Sequence, residues 1–152
     1  MFEAIKDFDA LIATTGKVSF SELLKLTDKD YQLGLNNKLM GQVKLVTMGC
    51  QYIKDQGSFT LTSGILNYDP IRTGASAAMV NGALEGFVRS AAIELRRRIR
   101  INLVSPTVIT EAMDKYASYF RGFLPVSVNH AALAYSKSVE GHQTGQVYRV
   151  GY

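Results

Sequence analysis

The sequence predicts an α/β fold with parallel strands, and three stretches carry that prediction. Gly57-Ser-Phe-Thr-Leu-Thr-Ser63 is a short β-favouring run that stops at Ser63-Gly64. From Ser76 to Leu95 the residues are small or helix-forming and apolar nearly all round, with Ala77, Val80, Leu84, Phe87, Val88 and Ile93 among them. A helix apolar on more than one face is covered on more than one side. Ile101, Leu103 and Val104 then form a second strand, which Pro106 stops. A strand that returns through a long helix to another strand is the parallel βαβ unit.

The remaining elements follow in order. Met1 to Lys6 reads as the end of a helix, with Phe2 and Ile5 inward. Asp7-Phe8-Asp9 turns into a buried strand at Ala10–Ala13, which ends at Thr14-Thr15-Gly16. Thr27-Asp28 is an N-cap signal for a helix over 29–54, along which Tyr31, Leu35, Leu39, Val43, Val46, Cys50 and Ile53 recur at helical spacing. In the helix over 76–95, Gly82, Gly86 and Ser90 strip the surface to backbone, so a neighbour can pack very close. Arg96, Arg97, Arg98 and Arg100 read as closing that helix, where each cation favours the negative end by roughly 0.3–1 kcal/mol. Asn67-Tyr-Asp-Pro70 is a turn. Glu111 to Phe120 is a weaker helix, Phe123-Leu-Pro125 breaks it, Asn129 to Val139 is a short amphipathic helix, and Gln146 to Val150 is the last strand. No repeat or linker divides the chain, so residues 1–152 read as a single domain.

Composition narrows the function classes. Apolar residues make up 47% and charged residues 20%, the balance of an ordinary globule rather than a disordered or fibrous chain. There is no apolar run long enough for a membrane span and no signal peptide. Cys50 has no partner for an internal disulfide and reads as a small buried hydrophobe, which places the chain in a reducing cytoplasm. The net charge of +4 invites nucleic acid as a partner. Lys6, Lys17, Lys25, Lys29, Lys44 and Lys54 are scattered, however, and the arginine cluster has its helix-end explanation, so no nucleic acid is expected. His130 and His142 lack ligand-like spacing, and no metal is expected. Thr73-Gly-Ala-Ser76 mimics the opening of a phosphate-binding turn, but no buried strand precedes it.

The runs "GSFTLTSGI", "GASAAMVNGALEGFVRSAAIEL" and "RIRINLVSPTVITEAM", in that order, resemble the second half of a short-chain dehydrogenase/reductase. "FDALIATTG" is similar to that family's fourth strand and its Asn-Asn-Ala-Gly turn, and "TGQVYRVGY" to its last strand. The matches span nearly the whole chain. They imply a partial Rossmann-like, doubly wound parallel sheet of about four strands flanked by helices. By the same resemblance three strands would precede Met1. The strand at Ala10–Ala13 should then expose an edge and an apolar face, so the chain reads as a fragment or as one that a partner covers.

The resemblance also implies a chemistry. The family moves a hydride between a nicotinamide cofactor, NAD or NADP, and an alcohol or carbonyl. Its tyrosine acid/base is followed four residues on by a lysine on the same helix face. A serine holds the carbonyl oxygen, and an asparagine on the preceding helix anchors a water relay. Here Ser63 keeps the serine position, Ala77 stands at the tyrosine position, Asn81 at the lysine position and Lys38 at the asparagine position. Losing an acid/base group typically costs about 10²–10⁴ in rate.

Lys38 is the candidate replacement, as proton donor or restored positive charge, since a buried lysine drops its pKa toward neutrality. The ordinary alternative is a side chain that runs out to solvent. Asn81 is a candidate for holding a ribose hydroxyl, and Ser63 either holds a substrate oxygen or caps its strand. Further cofactor contacts implied are Ala13, Thr14 and Gly16 in the first turn, Pro106 and Thr107 after the strand at 101–104, and the backbone of Val108 and Ile109. Glu111 stands at a threonine position, where a carboxylate disfavours a cofactor phosphate. The helices over 29–54 and 76–95 resemble those of the family's four-helix dimer interface, which implies a homo-oligomer. Two functions follow: an oxidoreductase with a degenerate site, or a catalytically inactive dinucleotide-binding or scaffold protein that self-associates.

Overall fold

Four strands, β1 (Phe8–Ile12), β2 (Ile53–Thr62), β3 (Arg100–Pro106) and β4 (Val147–Val150), form one sheet in the order β1-β2-β3-β4. Every neighbouring pair is parallel. The computed structural model describes residues 2–152, so Met1, expected in the first helix, lies outside the described residues. Helices α1 (Phe2–Ile5), α2 (Asp28–Gly34), α3 (Met40–Gly49), α4 (Ala75–Glu94), α5 (Met113–Tyr116) and α6 (Val128–Glu140) occupy the segments around the strands. This is the α/β, Rossmann-like arrangement that the sequence predicts.

Strand alternation sorts the two faces of the sheet. Phe59 and Leu61 of β2, with Ile101 and Leu103 of β3, are wholly buried with Val80, Leu84 and Val88 of α4. Each contributes about 1.5–3 kcal/mol of apolar burial. The opposite face is mixed: Val104 packs with Ala134 of α6, Val126 and Val150, and polar side chains bond to α6. Thr60 Oγ1 lies 2.6 Å from Ser138 Oγ, Thr62 Oγ1 lies 2.8 Å from Tyr135 OH, and Asn102 Nδ2 donates to Ser138 Oγ at 3.2 Å. Strand β1 is at the edge of the sheet, as expected, but it starts at Phe8, where a turn was expected, and Ala10 and Ile12, expected to be buried, are exposed.

The helix expected over 29–54 differs most. Thr27 caps it as read, forming a reciprocal capping box with Asp30. The coil then widens into a π-helical turn over Leu35–Leu39, resumes as α3 and stops at Gly49. A Cβ on Gly49 would stand 3.0 Å from the Phe59 ring, so the chain turns where it meets the sheet. Ile53 falls in the helical pattern by coincidence: it is the first residue of β2 and is buried in the sheet core.

The arginine cluster is also corrected. Helix α4 ends at Glu94, and Arg97 and Arg98 adopt left-handed backbone with φ of 57° and 56°. Arg97 donates to the carbonyls of Cys50 and Ile53, just past the end of α3. Arg100 donates to the carbonyls of Ser138, Val139 and Gly141 at the end of α6. The attraction of cations for helix C-termini holds, but the helices served are α3 and α6 rather than α4.

Two smaller expectations change. Ile5 is exposed while Phe2 is buried. The helix expected over 111–120 is a 3₁₀ turn over Thr110–Ala112 followed by the single turn of α5. Among the described residues, no helix is long and apolar enough to cross a membrane.

Candidate active site

In an open parallel sheet, ligands bind beyond the carboxyl ends of the strands. Ala13 follows β1, Ser63 follows β2 and Thr107 follows β3. At this end lies a pocket of about 160 Å³, lined by Lys38, Ser63, Ala77, Asn81, Thr107 and Phe120 among others. A wider depression of about 680 Å³ lies at the opposite end, beside Arg98, Arg100 and Glu140. Arg100 is engaged there by backbone carbonyls, so that depression offers no convergent chemistry.

Lys38 does not run out to solvent. It sits on the π-helical turn, a feature that recurs at functional sites because it re-aims a side chain. Its Nζ donates to Asn81 Oδ1 at 2.8 Å and to the Ser63 carbonyl at 3.2 Å. Asn81 Nδ2 in turn donates to the Gly64 carbonyl at 3.0 Å. Burial pushes the Lys38 ammonium down to about 8 from its ordinary 10.5. None of the ion pairs among the described residues involves Lys38.

The structure brings Lys38, Ser63 and Asn81 together. Ser63 is 6% exposed, and its hydroxyl has no hydrogen-bond partner among the described residues. Thr107, 4% exposed, also carries an unpartnered hydroxyl. Asn81 links the Gly64 carbonyl to Lys38, using one N–H and its oxygen, so it acts first as a positioning residue. Ala77 is 2% exposed and packs with Ile65, Leu66, Val108 and Phe120. Apolar side chains therefore fill the space around the tyrosine position.

The turn after β1 is built around Lys38. Gly16 has φ +143°, and a Cβ there would stand 2.5 Å from Lys38 Cγ and 2.8 Å from Lys38 Cα. The space that glycine leaves is taken by the lysine stem. Lys17 N donates to Asn37 Oδ1 at 2.7 Å, fastening the same loop to the π-helical turn. Ala13 is buried and its carbonyl accepts from Thr62 Oγ1, while Thr14 is exposed. After β3, Pro106 is half-buried and Thr107 N donates to the Val150 carbonyl. The Val108 and Ile109 carbonyls already accept from Val126 and Ala112. Glu111 accepts from Val128 N at the start of α6, a favourable place for a carboxylate. No group of residues able to hold a metal occurs among the described residues.

One positioning residue is not visible in the sequence. Gln42, 1% exposed, accepts from Thr62 N at 2.8 Å and donates to the Thr62 carbonyl at 2.9 Å and the Lys38 carbonyl at 3.3 Å. It pins the turn carrying Lys38 to the end of β2. The one available signal is a polar residue four positions after Lys38, on the same helix face.

The profile of the family described as "Enoyl-(Acyl carrier protein) reductase" matches residues 1–147. The protein lin1944 from Listeria innocua superposes with a TM-score of 0.96 at 49% identity, covering 98% of this chain and 74% of that one. A small-chain dehydrogenase solved in complex with NADPH superposes with a TM-score of 0.87 at 27% identity, covering 98% and 74%. No curated protein matches the chain. Fold and comparisons define the class, a Rossmann-like fold of the dehydrogenase/reductase type. The chain belongs to the short-chain dehydrogenase/reductase superfamily, within the family of that enoyl-reductase description.

Proposed function

We propose that the chain transfers a hydride between NAD or NADP and an alcohol or carbonyl substrate, with Lys38 as the proton-handling group. The observation that carries this reading is the Lys38 ammonium, held beside Ser63 and pushed to about 8. A catalytic acid works best with a pKa near the operating pH. In the reducing direction, the Ser63 hydroxyl donates to the carbonyl oxygen. Lys38 gives its proton to that oxygen as the carbon gains a hydride, then takes another from solvent. Asn81 Oδ1 and the Ser63 carbonyl hold the ammonium in place through the exchange.

When bound, the nicotinamide group supplies or accepts the hydride. The residues that would hold it are Ala13 and Thr14 on one side and Pro106, Thr107 and Ile109 on the other, the space at Gly16 being taken by the Lys38 stem. The buried, unpartnered Thr107 hydroxyl fits a polar group of such a ligand. NADPH bound by a relative with 27% identity supports the choice of ligand class. The test is NAD(P)H consumption over a panel of carbonyl compounds. Lys38→Met should lower turnover by about 10²–10⁴ with NADPH binding retained. Turnover that survives the substitution would remove Lys38 from the chemistry.

The enclosure of Ala77 by Phe120 and Leu66 favours a second reading, a catalytically inactive dinucleotide-binding or scaffold protein acting through self-association. Its surface would combine the helical segments over 29–54 with α4. A Cβ added at Gly41 or Gly86 would meet nothing within 4 Å, so nothing within the chain requires glycine there. A partner helix packing on backbone would. Nucleotide binding without turnover, together with a light-scattering mass of two chains, is the result expected under this reading; a mass of one chain rules out the dimer.

A further inference from the structure

Lys38 brings a positive charge to a part-buried site, where no carboxylate pairs with it. Such a charge is costly unless it is hydrogen-bonded and neutralised. Its two bonds within the chain go to neutral carbonyl oxygens and leave one N–H of the ammonium. In the wall of the same pocket, the Ser63 and Thr107 hydroxyls are each more than nine-tenths buried and unpartnered. Buried hydroxyls are normally satisfied, so two orphans lining the same pocket as the ammonium mark a place built to donate.

We infer that this pocket binds a small carboxylate, its oxygens taken by Lys38 Nζ, Ser63 Oγ and Thr107 Oγ1. Size and wall chemistry select the class. A pocket of about 160 Å³ has the volume of roughly five waters. That admits a carboxylate with a short apolar tail against Ile65, Leu66, Val108 and Phe120. A phosphate dianion calls for more than one cation and gains nothing from those apolar walls. Binding rests on the pocket itself and requires no hydride transfer. Under the oxidoreductase reading the carboxylate takes the place of the carbonyl oxygen on Lys38 and Ser63, so a short acid would compete with the substrate.

Protonation of Lys38 should govern the affinity. The groups facing it are Ser63 and Gly64 after β2, Ala77 and Asn81 of α4, Thr107 after β3, Gly16 and Val18 of the loop after β1, and Phe120, none of which titrates. The test is a calorimetric titration of the whole chain, without nucleotide, using acetate, propionate and pyruvate against acetamide and propionamide. At pH 7 the carboxylates should bind about tenfold or more tightly than the amides, the worth of one charge-assisted hydrogen bond. That preference should vanish in Lys38→Met, weaken in Ser63→Ala and Thr107→Val, and fade in the wild type above about pH 8, which needs no variant to fold. Equal affinity for acid and amide, no saturable carboxylate binding, tighter binding of inorganic phosphate, or a preference that survives Lys38→Met would each overturn the inference. Turnover without the preference would overturn it and leave the oxidoreductase reading standing; the preference without turnover would do the reverse.

Discussion

The Lys38 side chain leaves its helix through the space beside Gly16: a Cβ on that glycine would stand 2.5 Å from Lys38 Cγ and 2.7 Å from its Cβ. Swinging the lysine tip aside does not relieve the clash, because the Lys38 Cα is itself only 2.8 Å away. Gly16→Ala should therefore cost about 2 kcal/mol or more, from overpacking and from alanine at φ +143°. Chemical denaturation measures the loss. NMR titration of Lys38 should show its pKa returning toward 10.5 as the ammonium is displaced.

Stability should depend on pH through Lys38 with a definite sign. Its folded pKa of about 8 lies below the ordinary 10.5, so between those values the unfolded chain binds more protons. Stability from this group therefore rises with pH across that window, by about 3 kcal/mol at most. Burial raises the phenol pKa of Tyr135 and Tyr152, whose contributions are lost as pH climbs above about 10. Comparing wild type with Lys38→Met at each pH isolates the lysine. The wild type should gain on the variant from pH 8 upward, and a flat difference would refute the assignment.

Restoring the family's pair should fail. Ala77→Tyr puts a phenol into a position 2% exposed and walled by Ile65, Leu66, Val108 and Phe120. Overpacking of this kind costs about 1–3 kcal/mol. Adding Asn81→Lys brings a second ammonium against Lys38. Thermal melts should therefore fall for the single variant and further for the double, and Phe120→Ala should recover part of the first loss. An Ala77→Tyr variant as stable as wild type would show that the site keeps room for the phenol.

Arg100 is the fastener of α6. Removing a cation that satisfies the carbonyls of Ser138, Val139 and Gly141 should cost about 1.5–3 kcal/mol. Arg100→Lys should recover little, because an ammonium cannot span the same carbonyls as a planar fork. Denaturant midpoints for the two variants decide the matter.

What was legible in the sequence follows from what is local. The β-favouring run 57–63, the all-round apolar helix 76–95 and the strand stopped at Pro106 each announce themselves by pattern, and together they fix a parallel sheet. Thr27 announces its cap in the same way. The end of α3 was hidden because Ile53 keeps helical spacing while serving the sheet. The arginines follow α4 directly in sequence, whereas Arg97 and Arg100 reach α3 and α6 across the fold. At the site, the swap of residue types between positions 38 and 81 was readable. The bond between them was not, since it depends on a widened turn, which has no sequence signature, and on Gln42, marked only by its place four residues after Lys38.

That widened turn sets the angular phase of the helix. A π-helical turn holds roughly one residue more than an α-helical turn, and each residue advances an α-helix by about 100°. Deleting Asn36 alone would restore regular winding and rotate Lys38 off its line to Asn81, without altering any side chain in the pocket. The reach of the ammonium is therefore encoded in the number of residues in a coil, and a length change there is equivalent to losing the lysine itself.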